Sequence, residues 1–280
     1  MKFPLKLNRE HWPSVSALGV PSTADPRAIC RDSNGEAFTK AVSILKFGST
    51  FKTTRKARFP LSIAAIAKRE QGSAPVVLDV GASDGTTSID VMRAFDFRTY
   101  YVTDLNVEVY VAVASGATWF FDCEGNCILR ATDNWIVYCD QEGGIFPFNW
   151  VARRLMARAP PFAGNMAQIP LINHELRSCQ GDVRVQKYDV MTEWCLEKAD
   201  IVIAANVLNR AYFSDESISL ALQNLRRAMK SGGRLAVIDN RPEERSTIFR
   251  LVAGVLVVEE RINGGTDIEA LAMSVLGDGG

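Results

Sequence analysis

Val76-Val77-Leu78-Asp79-Val80-Gly81-Ala82-Ser83-Asp84-Gly85-Thr86-Thr87 runs from an apolar strand through a tight turn into a helix. The β-branched run up to Val80 reads as a buried strand, and the apolar spacing after Gly85 reads as the helix Thr86 to Ala94. Gly81 and Gly85 suit the turn, because glycine accepts positive φ and lets a ligand approach the backbone closely. Asp79 interrupts the apolar run, and burying an acid is costly unless something pairs with it. The dinucleotide fingerprint G-x-G-x-x-G serves a pyrophosphate at a helix N-terminus. A turn carrying Asp79 and Asp84 suits a cation instead.

The pattern D-x-G-x-x-x-G over residues 79–85 resembles motif I of the class I S-adenosylmethionine-dependent methyltransferases. It departs from that motif at Ser83, which stands where the family usually has its middle glycine, and at Asp84, which precedes the last one. A small side chain at 83 still permits close approach. The resemblance implies an enzyme that transfers the methyl group of S-adenosyl-L-methionine and releases S-adenosyl-L-homocysteine. It also implies that Asp79, Gly81, Ala82, Ser83, Asp84, Gly85 and Thr86 surround the cofactor.

The spacing downstream adds to this. A second strand, Thr99 to Thr103, ends in Asp104 and Leu105, with Asp104 nineteen residues beyond Gly85. This is close to where βαβ nucleotide folds place the carboxylate that binds ribose hydroxyls. A carboxylate accepts two hydrogen bonds from a vicinal diol, which no apolar side chain offers. A third strand, Val183 to Tyr188, is followed by Asp189 and Val190, a position that resembles the family's adenine contact. A fourth, Ala199 to Ala205, delivers Asn206 to the carboxyl edge, where ligands of open α/β sheets bind. Ser214 and Asp215 then open an apolar-periodic helix running to Lys230, and Ser231-Gly232-Gly233 separates it from the strand Arg234 to Asp239. The string from Leu225 to Ile238 closely resembles the family segment leading into the fifth strand.

The resemblance implies an α/β fold: a seven-stranded, mostly parallel, doubly wound sheet in the order 3-2-1-4-5-7-6. Leu256 to Ile262 and Ile268 to Met273, flanking Asn263-Gly264-Gly265-Thr266, read as the terminal antiparallel hairpin. Residues 1–74 read as a helical N-terminal extension or cap with helices over Ala37 to Leu45 and Leu61 to Lys68. Residues 75–280 read as the methyltransferase domain, with a β-rich insertion after the second strand at about 107–180. Within the insertion, Trp119-Phe120-Phe121, Cys127-Ile128-Leu129 and Trp135-Ile136-Val137-Tyr138 read as antiparallel strands, followed by a helix around Trp150 to Arg158. The aromatic residues from Tyr110 to Trp150 fit a sheet-edge cover, a homodimer contact or an acceptor pocket.

The chain of 280 residues is 47% hydrophobic, enough for a substantial core. Lys plus Arg and Asp plus Glu stand at 32 each, so no global field draws it to nucleic acid, and no nucleic-acid partner is expected. No run of about eighteen apolar residues and no leader-like h-region occurs, which predicts a cytoplasmic protein without a membrane span. The six cysteines read as reduced thiols. Cys123-x-x-x-Cys127 with Cys139 and His174 has admissible zinc spacing, but Glu124-Gly125-Asn126 reads equally well as a hairpin turn. No second C-x-x-C pair completes a ligand set, so no metal is expected.

The expected activity is methylation of an N or O atom of a small or medium-sized organic acceptor. The basic run Lys52, Arg55, Lys56 and Arg58 beside an aromatic insertion also admits a lipid-headgroup or carrier-bound acceptor. The departures at Ser83 and Asp84 admit a non-catalytic S-adenosylmethionine-binding regulator. His174, the one histidine beyond the amino terminus, is the candidate base. Asn206, Tyr212 and Asn240, near expected strand ends, are candidates to orient the acceptor.

Overall fold

The computed structural model describes residues 3–12, 21–31, 35–48, 50–139, 146–179, 182–240 and 242–277. Along the chain come β1 (Leu5–Asn8), β2 (Ser22–Thr23), α1 (Glu36–Val42), β3 (Lys46–Phe47), β4 (Thr50–Phe51), α2 (Pro60–Arg69), β5 (Val76–Val80) and α3 (Thr86–Met92). There follow β6 (Thr99–Asp104), β7 (Glu108–Ala114), β8 (Ala117–Phe121), β9 (Cys127–Ala131), β10 (Trp135–Tyr138), α4 (Phe148–Met156), β11 (Ala167–Pro170) and α5 (His174–Ser178). The last are β12 (Val183–Lys187), β13 (Ala199–Ala205), α6 (Asp215–Ala228), β14 (Met229–Asn240), β15 (Glu244–Val252), β16 (Val255–Ile262) and α7 (Glu269–Gly277). The chain divides into two compact units: Met1–Thr53 with Glu108–His174, and Thr54–Val107 with Glu175–Gly280. The stretch 1–74 is thus shared between them at 53/54.

The first unit is built on a seven-stranded sheet in the order β11-β7-β8-β9-β10-β1-β2, antiparallel except for the last pair. The β8–β9 turn is held by Asp122, whose Oδ1 accepts from the backbone N–H groups of Glu124 (2.9 Å) and Asn126 (2.8 Å). Side chains alternate across the sheet. Phe120, Leu129, Ile136 and Tyr138 pack with Phe38, Ala41 and Val42 of α1. On the other face Val137 packs with Leu5 and Ala152 of α4, and Trp119 and Phe121 lie against Met156. Four of the insertion's aromatic side chains, Trp119, Phe120, Phe121 and Tyr138, are buried in this unit's own core.

The second unit holds a seven-stranded sheet in the order β12-β6-β5-β13-β14-β15-β16. The first four pairings are parallel and the last two antiparallel, so the sheet is mixed. Counting β5 as strand 1 within this unit, the order is 3-2-1-4-5-6-7, which corrects the expected 3-2-1-4-5-7-6. The reason is connection length. Only three residues, 241–243, separate β14 from β15, too few for a crossover, so β15 folds back beside β14. β16 does the same through Ala253-Gly254.

The expected final strand, Ile268 to Met273, is also corrected: α7 occupies Glu269–Gly277. Glu269-Ala270-Leu271-Ala272-Met273 are strong helix formers, and they outweigh the turn signal of Asn263-Gly264-Gly265. The antiparallel hairpin is made one element earlier, by β15 and β16.

Helices cover both faces of this sheet. Ile218, Leu222 and Leu225 of α6 pack with Val76, Leu78, Val202 and Leu235. On the opposite face α2 is tied to β15 at its start, where Glu244 Oε1 accepts from Ser62 N and Ser62 Oγ, both at 2.6 Å, and Oε2 accepts from Leu61 N at 3.1 Å. The first-turn N–H groups of a helix have no partner within it, and Pro60 removes one more donor. The buried Glu244 carboxylate supplies their partner and a favourable charge at the helix N-terminus. Among the described residues no helix is long and apolar enough to cross a membrane, and no group of three or more His, Cys, Asp and Glu is placed to hold a metal ion.

Candidate active site

Register brings the strand ends of the second unit to one edge. Val80 pairs with Thr103 and with Ala204, Asp104 with Lys187, and Ala205 with Ile238. Asp104, Gly81, Asn206 and Asn240 therefore follow one another along that edge, where α/β sheets bind ligands.

The turn after β5 is determined by backbone conformation and by close packing. Gly81 has φ 66°, and a Cβ there would lie 2.4 Å from Val207 Cγ2. Gly85 has φ 78°, and a Cβ there would lie 2.0 Å from Leu176 Cδ1. Ser83, at φ 60°, takes a left-handed conformation that serine rarely adopts. Ala82 N donates to Thr103 O (2.8 Å) and Gly85 N to Ala82 O (2.9 Å). Asp84, fully buried, accepts from Thr86 N at 2.9 Å, an Asx turn that leads through the N-cap Gly85 into α3.

Asp104 organises the same turn from the next strand. Its Oδ2 accepts from Ser83 N at 2.9 Å and its Oδ1 from Asn106 N at 2.8 Å. Each carboxylate oxygen carries two lone pairs and so can accept more than one hydrogen bond. Leu105 beside it is 49% exposed.

Asp79 is placed differently from the rest. It is buried, with Oδ2 accepting from Ser88 Oγ (2.7 Å) and Tyr100 OH (2.9 Å), while Thr103 Oγ1 donates to its main-chain oxygen (2.8 Å). Burial pushes its carboxyl up to about 6, against the two hydroxyl hydrogen bonds that favour the charged form. Asp79 thus fastens β5 to α3 and β6. Ser88 and Tyr100 carry no motif of their own in the sequence. A strand-borne acid that needs buried donors was the signal that called for them.

Asp189 Oδ1 accepts from Met191 N (2.9 Å), and Val190 is buried in the α6 core with its oxygen accepting from Asn224 Nδ2 (3.1 Å). Asn206, at φ 55°, donates its N–H to Ile238 O (2.8 Å), and its Oδ1 accepts from Asn240 N (3.0 Å). Asn240 Nδ2 donates to Arg58 O at 2.9 Å. Tyr212 is 40% exposed in the loop between β13 and α6. His174 is exposed at the start of α5 and belongs to the first unit.

Three buried side-chain atoms among the described residues have no hydrogen-bond partner: Asn8 Nδ2 in the first unit, and Ser83 Oγ and Asn206 Nδ2 in the second. Buried polar groups are ordinarily satisfied. Ser83 and Asn206 follow the neighbouring strands β5 and β13. The side chains along this edge are acids, amides and a hydroxyl, which suits a cationic ligand with hydroxyls better than a pyrophosphate. A cavity of about 370 Å³ in the same unit, lined by Ala64, Ala67, Gln71, Ser73 and Phe95, opens instead near the starts of β5 and β6. None of the turn residues line it.

No protein-family model matches the chain, and no curated protein matches it. Among solved structures it is similar to the S-adenosylmethionine-dependent methyltransferase SibL in its apo form, with 17% identity over 64% of this chain and 35% of that one, at a TM-score of 0.33. The mitomycin 7-O-methyltransferase MmcR aligns with 16% identity over 76% of this chain and 42% of that one, at 0.34. The N-methyltransferase NodS from Bradyrhizobium japonicum WM9, in complex with S-adenosyl-L-homocysteine, aligns with 12% identity over 62% of this chain and 59% of that one, at 0.31. The chain spans less than two thirds of the length of each. At such scores the functional reading stands on the chain's own residues.

Proposed function

We propose that the second unit binds S-adenosylmethionine along the carboxyl edge of its sheet, and that the protein transfers the methyl group to an N or O atom of a small or medium-sized organic acceptor. One observation carries this reading: the acid that ends β6 is bonded to the glycine turn that ends β5, so ribose acceptor and cofactor turn form one assembly. The two unsatisfied atoms, Ser83 Oγ and Asn206 Nδ2, fit a ligand with hydroxyl and carboxylate groups.

In this reading the backbone from Gly81 to Thr86 lies against the cofactor. Asp104 accepts from the ribose hydroxyls with Leu105 beside it, and Asp189 and Val190 contact the adenine. Asp79 acts one layer away, by holding the strand and helix on which the turn sits. Asn206 and Asn240, joined to each other, orient the acceptor together with Tyr212. When bound, the cofactor supplies a methyl group already activated on a cationic sulfur, so the residues mainly align the acceptor and exclude water.

The experiment is incubation of the full chain with S-adenosylmethionine and a panel of amine, phenol and carboxylate acceptors, scored by S-adenosylhomocysteine release. Release that depends on an acceptor and falls strongly in Asn206→Ala supports the proposal. Cofactor binding without release for any acceptor class supports a non-catalytic regulator instead.

A further inference from the structure

The first unit carries a basic and aromatic face that the methyl-transfer reading does not use. From Phe146 to Met166 the sequence holds Arg153, Arg154 and Arg158 and no acidic residue. Helical spacing places Trp150, Arg153, Arg154, Ala157 and Arg158 on one side of α4 and its continuation, at i, i+3, i+4, i+7 and i+8. All five are exposed. The opposite side of α4, with Val151, Ala152 and Leu155, packs on Leu5 and Val137 of the sheet.

Two large aromatic side chains stand out of this region, Phe146 at 78% exposure and Trp150 at 55%, while Phe162 packs its ring on Tyr110 and Phe121. The Arg154 guanidinium lies 5.6 Å from the centre of the Trp150 ring. Arg130 of β9, half-buried, lies 5.4 Å from the centre of the Trp119 ring, and burial together with the nearby Arg158 pushes its guanidinium below its ordinary value. None of these four arginines is ion-paired to an acid among the described residues. Like charges collected without acids are unfavourable unless an anionic partner meets them.

We propose that this face of α4 docks the protein on an anionic lipid bilayer, with Arg153, Arg154 and Arg158 on lipid phosphates and Phe146 and Trp150 seated at the headgroup level. A helix lying on a sheet presents a ridge, which meets a planar surface, whereas a single nucleic-acid strand is held in a groove that tracks its backbone. Exposed tryptophan and phenylalanine beside arginine is the composition that partitions into a membrane interface. With 32 basic and 32 acidic residues the whole chain has no net charge, so the attraction of this face to anions is local and short-ranged. The proposal is independent of the methyl-transfer reading.

The test is co-sedimentation of the full chain with vesicles of phosphatidylcholine alone and of phosphatidylcholine containing phosphatidylglycerol. Binding is expected only to the anionic vesicles, with loss at high salt. The triple variant Arg153→Gln, Arg154→Gln, Arg158→Gln should bind on the order of a hundredfold more weakly. Trp150→Ala should bind several-fold more weakly with the charges intact. All four side chains are exposed, so unchanged melting temperatures certify the fold, and the salt series of the unaltered protein decides the matter if a variant fails to fold. Equal binding to both vesicle types, no binding to either, or full binding by the triple variant would overturn the proposal. So would binding of a single-stranded oligonucleotide without vesicle binding, or an oligomer that Trp150→Ala dissociates, which would assign the face to a second copy.

Discussion

Asp104 Oδ2 accepts the backbone N–H of Ser83 at 2.9 Å, so the acid that closes β6 also shapes the turn that closes β5. Replacing Asp104 by alanine removes this bond and the one from Asn106 N together with the proposed ribose acceptor. Affinity for S-adenosylmethionine should fall by about 1.5 to 3 kcal/mol, the usual value of hydrogen bonds to a charged group. Calorimetry on the folded variant checks this, and unchanged affinity would remove Asp104 from the site.

Gly81 is where packing and conformation act together. In Gly81→Ala the new methyl meets Val207 Cγ2 at 2.4 Å and also sits at φ 66°. Each effect costs about 1 kcal/mol or more, so thermal stability and cofactor affinity should both drop. Adding Val207→Ala relieves the contact but not the dihedral, and should recover only part of the lost melting temperature.

Asp79 gives a pH dependence of definite sign. Its carboxyl stands at about 6 in the folded protein against 3.8 ordinarily. Between those values the folded chain holds the proton and the unfolded chain releases it. The stability from the protonated form is complete below pH 3.8 and is lost as pH rises through about 6. The loss is on the order of 3 kcal/mol. Paired carboxylates such as Asp25, whose value is lowered, act in the opposite sense. The readout is therefore the difference in unfolding free energy between the protein and Asp79→Asn, titrated from pH 4 to 7. That difference should shift in favour of the variant as pH rises, and a flat difference would contradict the assignment.

Glu244 is the partner of the first turn of α2. Glu244→Gln keeps one acceptor oxygen but turns an NH₂ group toward N–H donors in a buried place. The variant should lose about 1 to 3 kcal/mol of stability. Denaturant unfolding measures this, and stability should fall more than cofactor affinity because the Glu244 carboxylate bonds Leu61 and Ser62 of α2.

The turn, the first four sheet strands and the acid at 104 were legible because each rests on local chemistry: an apolar run, two glycines, a carboxylate at a fixed spacing. The end of the chain was not. Asn263-Gly264-Gly265 signals a hairpin in isolation, but the residues after it favour helix, and strand order depends on the length of the 241–243 link, which gives no local pattern. Ser88 and Tyr100 were hidden because their tie to Asp79 joins three elements. The insertion's strands could be read from their alternation. That Phe120, Leu129 and Ile136 share a core with α1 from residues 36–42 is a long-range fact that no periodicity carries.

The central claim is that the edge defined by Gly81, Ser83, Asp104 and Asn206 is built for an adenosyl ligand with a cationic sulfur. Calorimetric titration of the full chain with S-adenosylmethionine, S-adenosylhomocysteine and NAD tests it most directly. The account predicts saturable binding of both adenosyl ligands, weakened by Asp104→Ala, and much weaker or no binding of NAD. Saturable binding of NAD with none of either adenosyl ligand would contradict it.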